Sequence, residues 1–117
     1  MSLPFLNRDA FLVKPRKKFT DWLRYVDEEM KEDDADDLLA SPGTIYLHDE
    51  LKTGDRTEAE AVMQNSWRNI AESEFEAWWT NEPDWPRLTT IADFDEYFTW
   101  VYVDMINDLS PKSLLRE

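Results

Sequence analysis

One stretch constrains the fold more than any other. Residues Thr57 to Trp79, TEAEAVMQNSWRNIAESEFEAWW, contain neither glycine nor proline and carry a helical apolar period. Thr57 followed by Glu60 predicts a capping box at the start, and Glu58 and Glu60 place negative charge at the positive end of the helix dipole. At about 100° per residue, Ala59, Met63, Trp67, Ile70, Ala71 and Trp78 share one face. Gln64, Asn65, Arg68, Asn69, Glu72, Ser73 and Glu76 fall largely opposite. Pro83 cannot continue a helix and pushes Glu82 towards extended geometry, so the helix is expected to end near Thr80.

One residue interrupts the apolar face. Glu74 lies between Ile70 and Trp78 on the helical projection. Burying an unpaired carboxylate is costly, so a group placed there must find a donor or take up a proton. Arg8, from the basic opening of the chain, is the first candidate donor. The sharper alternative makes Glu74 a ligand-binding or acid–base carboxylate in a cleft.

The remaining elements follow in chain order. Asn7 to Pro15 predicts a first strand, with Phe11 and Val13 on one face and Ala10 and Leu12 on the other. Apolar residues on both faces imply a strand buried on two sides. From Arg16 the period becomes helical through Phe19, Trp22, Leu23, Val26 and Met30. Eight acids between Asp27 and Asp37 predict a solvated acidic loop over 27–43, ended by the turn Ser41-Pro42-Gly43. Thr44 to His48 reads as a second strand, with Ile45 and Leu47 facing one way and Tyr46 and His48 the other. Thr90 with Asp93 caps a short helix carrying Ile91, Phe94 and Phe98. Thr99 to Met105 is the third strand, Val101 and Val103 opposed to Trp100, Tyr102 and Asp104. Residues 110–117 read as a frayed tail, and Met1 to Leu3 as a cloning remnant.

The expected order is β-α-β-α-α-β, an α+β domain with a small, at least partly antiparallel sheet and helices mainly on one side. At 117 residues this is a single domain. The chain has no cysteine, so disulfides, thiolate chemistry and cysteine zinc sites are excluded. No apolar run is long enough to span a bilayer, and a cytoplasmic location is expected. The net charge of −13 argues against direct nucleic-acid or anionic-membrane binding. Residues 1–24 nevertheless hold six cations against two anions, a net +4, which leaves −17 for residues 25–117. Lys14, Arg16, Lys17 and Lys18 are expected to pair with nearby acids. No cofactor or metal motif is present.

Asn7-Arg8-x-Ala10-Phe11-x-Val13-x-Pro15, then Phe19 and Trp22, resembles a family of small uncharacterised bacterial proteins. The later Glu74-Phe75-x-x-Trp78 with Trp85-Pro86 carries the same resemblance, which spans most of the chain. It implies a bacterial cytoplasmic protein and brings no catalytic residues.

Three function classes follow. The first is a protein-interaction module, monomeric or weakly homodimeric, with Phe75 and Trp79 exposed beside Arg68 as anchors unless Trp85 folds back over them. The second is an enzyme or ligand-binding protein in which Glu74, His48, Tyr102 and Asp104 converge. The third is an acidic mimic of nucleic acid.

Overall fold

The computed structural model describes residues 5–116. The expected remnant at residues 1–3 lies outside that range, as does Glu117. The architecture is α+β. Strand β1 (Arg8–Pro15) is the centre of a three-stranded sheet, flanked by β2 (Thr44–Asp49) and β3 (Phe98–Val103). Both pairings are antiparallel, with Phe11 opposite Tyr46 on one side and Tyr102 on the other. Helices α1 (Lys17–Val26), α2 (Glu32–Leu39), α3 (Arg56–Trp78) and α4 (Ile91–Tyr97) complete the fold, with a 3-10 turn at Glu82–Asp84.

Helix α2 was not expected. Local repulsion predicts a solvated loop there, but the acids are placed where a helix tolerates them. Glu32, Asp33 and Asp34 occupy the first turn, at the positive end of the dipole. The Asp34 carboxylate also accepts from the Lys31 amide at 3.0 Å, satisfying an orphan donor. Ala35 is buried and Leu38 is half-buried against the core, so one thin apolar stripe anchors an otherwise acidic helix.

The turn into β2 depends on Gly43, which has a φ of +101°. A Cβ at this position would lie 2.5 Å from the Val13 carbonyl oxygen. Backbone strain and contact therefore both demand glycine.

Helix α3 begins earlier than the Thr57–Glu60 capping box predicts. Its N-cap is Asp55, whose carboxylate accepts from the Glu58 amide. Glu60 instead pairs with Arg56 one turn away. Glu58 turns back and accepts backbone N–H groups from Lys52, Thr53 and Gly54. These bonds, led by the one from Lys52, hold its pKa down to about 2 despite its position at the surface. A depressed carboxylate contributes stability above its unfolded value, and that contribution fades as pH falls through the folded one. Glu58→Gln is therefore expected to lower the melting temperature at pH 7. The gap to wild type should close as pH drops from the ordinary glutamate range towards about 2. A gap independent of pH would contradict the assignment.

The core lies between one face of the sheet and helices α1, α3 and α4. From the sheet it takes Phe11, Val13 and Phe98, fully buried, with Tyr46, Trp100 and Tyr102 at the margin. From the helices it takes Phe19, Leu23, Met63, Trp67, Ile70, Phe75 and Phe94. Among the described residues, no helix lies over the opposite face of the sheet. Register puts Ala10, Leu12, Ile45, Leu47, Val101 and Val103 there. Ile45 is 63% exposed, Leu47 53% and Val101 55%. On β1 itself the second face is nonetheless largely covered, as expected, Ala10 being only 3% exposed and Leu12 half-buried. The exposure lies on the flanking strands, whose apolar side chains no described element covers.

Candidate functional site

Glu74 finds its donor on the sheet. It projects from α3 towards β2, where the Tyr46 hydroxyl donates to its carboxylate at 2.5 Å. Burial, reinforced by this bond, pushes the Tyr46 pKa up, so the phenol stays protonated and serves as a permanent donor. The expected partner is corrected. Arg8 lies at the far end of β1, opposite Asp49, and its guanidinium donates to the Asn7 carbonyl oxygen.

Glu74 also lines a cavity of about 680 Å³ between α2 and the end of α3. Its apolar wall includes Met30, Leu38 and Trp78, and Asp27, Asp34 and Asp37 contribute carboxylates. Such a lining disfavours anions. Trp78, expected in the core, is 48% exposed at this cavity.

The anticipated aromatic anchor is also corrected. Phe75 is only 2% exposed and forms the hub of an aromatic cluster. Its ring centre lies 4.9 Å from that of Trp22, 5.6 Å from Phe19, 5.7 Å from Phe98 and 5.9 Å from Tyr97. Trp85 folds back over it at 6.2 Å. Trp79 and Trp85 are only partly exposed, and every tryptophan N–H here is used. The Trp85 indole donates to the Trp79 carbonyl oxygen, Trp79 to the Asp84 carboxylate, and Trp22 to the Asp84 carbonyl oxygen. The indole of Trp79, then the amide of Asn81, hold the Asp84 pKa below its ordinary value. Arg68 stacks on Trp67 at 4.4 Å and donates to the carbonyl oxygens of Leu88 and Thr89. Together these groups fasten residues 81–89 to α3. They do not form a free binding patch.

The four groups of the enzyme reading do not converge. Glu74 is engaged by Tyr46, whereas Tyr102 donates to Asp9. His48 places Nδ1 2.8 Å from the Asp49 carbonyl oxygen and stands nearly perpendicular to the Phe11 ring. Asp104 is exposed after the end of β3. Among the described residues, no group of three His, Cys, Asp or Glu side chains is placed to hold a metal ion.

Asp9 was missed in the sequence. It is buried on the core face of β1, accepting from the Tyr102 hydroxyl at 2.5 Å and the Leu51 amide at 2.9 Å. Burial, then the bond to Asp9, raises the Tyr102 pKa. The available signal was alternation, since Asp9 shares its face with Phe11 and Val13.

The basic opening is partly paired. Lys17 bridges to Asp21 and Lys18 to Glu96, while Arg16 donates to the Phe98 carbonyl oxygen. Among the described residues, Lys14 forms no ion pair.

What remains is the open sheet face. Leu6, Met105 and Ile106 extend it beyond the strands and border a groove of about 560 Å³ over Ala10, Leu12 and Val103. Met105 is exposed as well. Comparisons with known protein families, curated proteins and solved structures found no match to this chain. No helix among the described residues is long and apolar enough to cross a membrane.

Proposed function

We propose that this chain is a non-enzymatic protein-interaction module whose binding element is the open face of its sheet. One observation carries the reading. Five large apolar side chains, Ile45, Leu47, Val101, Val103 and Met105, stand exposed at one side of a domain whose opposite side holds all the helices. An antiparallel sheet with one covered face ordinarily turns polar residues outward. A contiguous apolar patch on a soluble domain marks an interaction surface. The helical layer is then the scaffold that holds the sheet in place and presents it.

The alternative use of Glu74 as a ligand carboxylate is weaker, because Tyr46 already occupies it. We place the protein in a bacterial cytoplasm, consistent with its cysteine-free composition and with the resemblance described above. The net charge of −13 supports a protein rather than a nucleic acid as partner.

Site-specific photo-cross-linking in the native host tests this reading. A photoreactive residue at Leu47 or Val101 is expected to give a discrete protein adduct, and one at exposed Gln64 on α3 none. Absence of an adduct at both sheet positions, or equal yields at Gln64, would sink it.

A further inference from the structure

We infer that a partner protein adds a short extended segment as a further strand along the free edge of β2, its apolar residues alternating with lysine or arginine. This rests on the reading of the open face as an interaction surface and names the kind of partner it fits. Unpaired backbone, apolar side chains beside that backbone and carboxylates at the same edge carry it together.

Register shows which backbone groups are free. In an antiparallel pair, residues that bond the neighbouring strand alternate with residues that turn their N–H and C=O away. The Arg16 amide donates to the Tyr97 carbonyl oxygen at 2.7 Å, in line with the β1–β3 register. Counting back in twos, Lys14, Leu12 and Ala10 bond towards β3, so Val13, Phe11 and Asp9 bond towards β2. Their partners Thr44, Tyr46 and His48 are thereby satisfied, and Ile45, Leu47 and Asp49 turn their backbone groups outward. The Asp49 carbonyl oxygen meets the His48 ring. Among the described residues, the other outward groups of these three have no backbone partner. The edge also lacks the usual protection, since Thr44–Asp49 contains no proline, no lysine and no bulge. On β3, by contrast, Arg16 caps the Phe98 carbonyl oxygen.

The side chains set the chemistry of the occupant. Ile45 and Leu47, 63% and 53% exposed, stand on the open face at the very residues whose backbone is free. An added strand lays every second side chain beside them, and those positions call for apolar residues. Its intervening side chains fall on the side of Thr44, Tyr46 and His48. There Tyr46 holds Glu74, and Thr44 lines the cavity that carries Asp27, Asp34 and Asp37. Asp49 and Glu50 stand at the other end of the strand. Among the described residues, none of these carboxylates belongs to an ion pair. The cations of the open face, Arg8 and Lys14, sit on β1, one strand further in. The intervening positions therefore fit lysine or arginine. Strand addition draws its affinity from main-chain hydrogen bonds, so a small apolar footprint is enough for a weak, specific contact.

Amide hydrogen exchange by nuclear magnetic resonance on the isotope-labelled full chain tests the inference. The probe is the end-blocked hexapeptide Lys-Val-Lys-Val-Lys-Val, titrated to about 1 mM. The expected result is saturable binding that slows exchange of the Ile45, Leu47 and Asp49 amides at least about threefold. The amides of Tyr46 and His48, already bonded to β1, and of Trp100 and Tyr102 on β3 should not change. Leu47→Pro removes one outward N–H from an edge strand, where proline is tolerated, and should weaken binding at least about tenfold. Leu47→Ala, which keeps that N–H, should weaken it less. The hexapeptide Glu-Val-Glu-Val-Glu-Val should bind at least about tenfold more weakly than the probe. Circular dichroism checks that each variant is folded. If Leu47→Pro fails to fold, the alternating exchange pattern in the unaltered chain still decides. Equal binding of the two peptides, or protection at Trp100 and Tyr102 instead, would overturn the proposal. Shifts over Ala10, Leu12 and Val103 without protection of the β2 edge would also overturn it, while leaving the interaction reading intact. No binding of the probe would refute the added strand, and the photo-cross-links at Leu47 and Val101 then judge the interaction surface separately.

Discussion

Phe75→Ala is expected to destabilise the domain by roughly 3–5 kcal/mol, the range for removing a large aromatic from a closed core. Phe75 touches rings from α1, α4, β3 and the 81–89 loop, so little can collapse into the space it leaves. The loss should also loosen that loop. Without the ring beneath it, the Trp85 indole keeps its bond to the Trp79 carbonyl oxygen but loses its Phe75 neighbour. Urea unfolding measures the first effect and amide exchange over residues 81–89 the second. A loss below about 1 kcal/mol would mean that the cluster is not the centre of the core.

Asp9→Ala is expected to cost roughly 2–4 kcal/mol. Two donors, the Tyr102 hydroxyl and the Leu51 amide, would lose a charged acceptor in a site with little water to replace it. A double-mutant cycle with Tyr102→Phe should show coupling of about 1 kcal/mol or more, since the two groups share one bond. Additive effects would show that Asp9 acts through Leu51 alone. The open sheet face should be unaffected in either case, because Asp9 and Tyr102 project from the opposite side of their strands. That separates a stability effect from an effect on association.

Period and turn chemistry alone determined much of this protein. Alternation in residues 44–48 and 99–103 assigned each strand residue to the correct face. Helical spacing assigned α1, α3 and α4, because those segments bury a stripe broad enough to survive local noise. Helix α2 escaped because its buried stripe is only Ala35 with Leu38, and a run of acids signals solvation whatever the backbone does.

The faces of α3 show where local reasoning ends. Its buried residues step by four, through Ala59, Met63, Trp67, Ala71 and Phe75. Each such step advances about 40° around a 3.6-residue helix, so the buried stripe turns by roughly 160° along its length. A fixed projection therefore exposes Phe75 and buries Trp78, the reverse of what is found. The partners decide this, because the helix leaves the sheet and enters the cluster built by α1, α4 and the 81–89 loop.

Pairings distant in sequence were likewise invisible. Tyr46 with Glu74 and Tyr102 with Asp9 are set by sheet register and helix docking, which no local pattern encodes. The candidate site belongs to the same class. The sequence by itself determined that Leu12, Ile45, Leu47, Val101 and Val103 are apolar and share one side of their strands. Only the tertiary structure decided that no helix among the described residues covers them, because those helices are drawn to the aromatic face, where there is more apolar surface to bury.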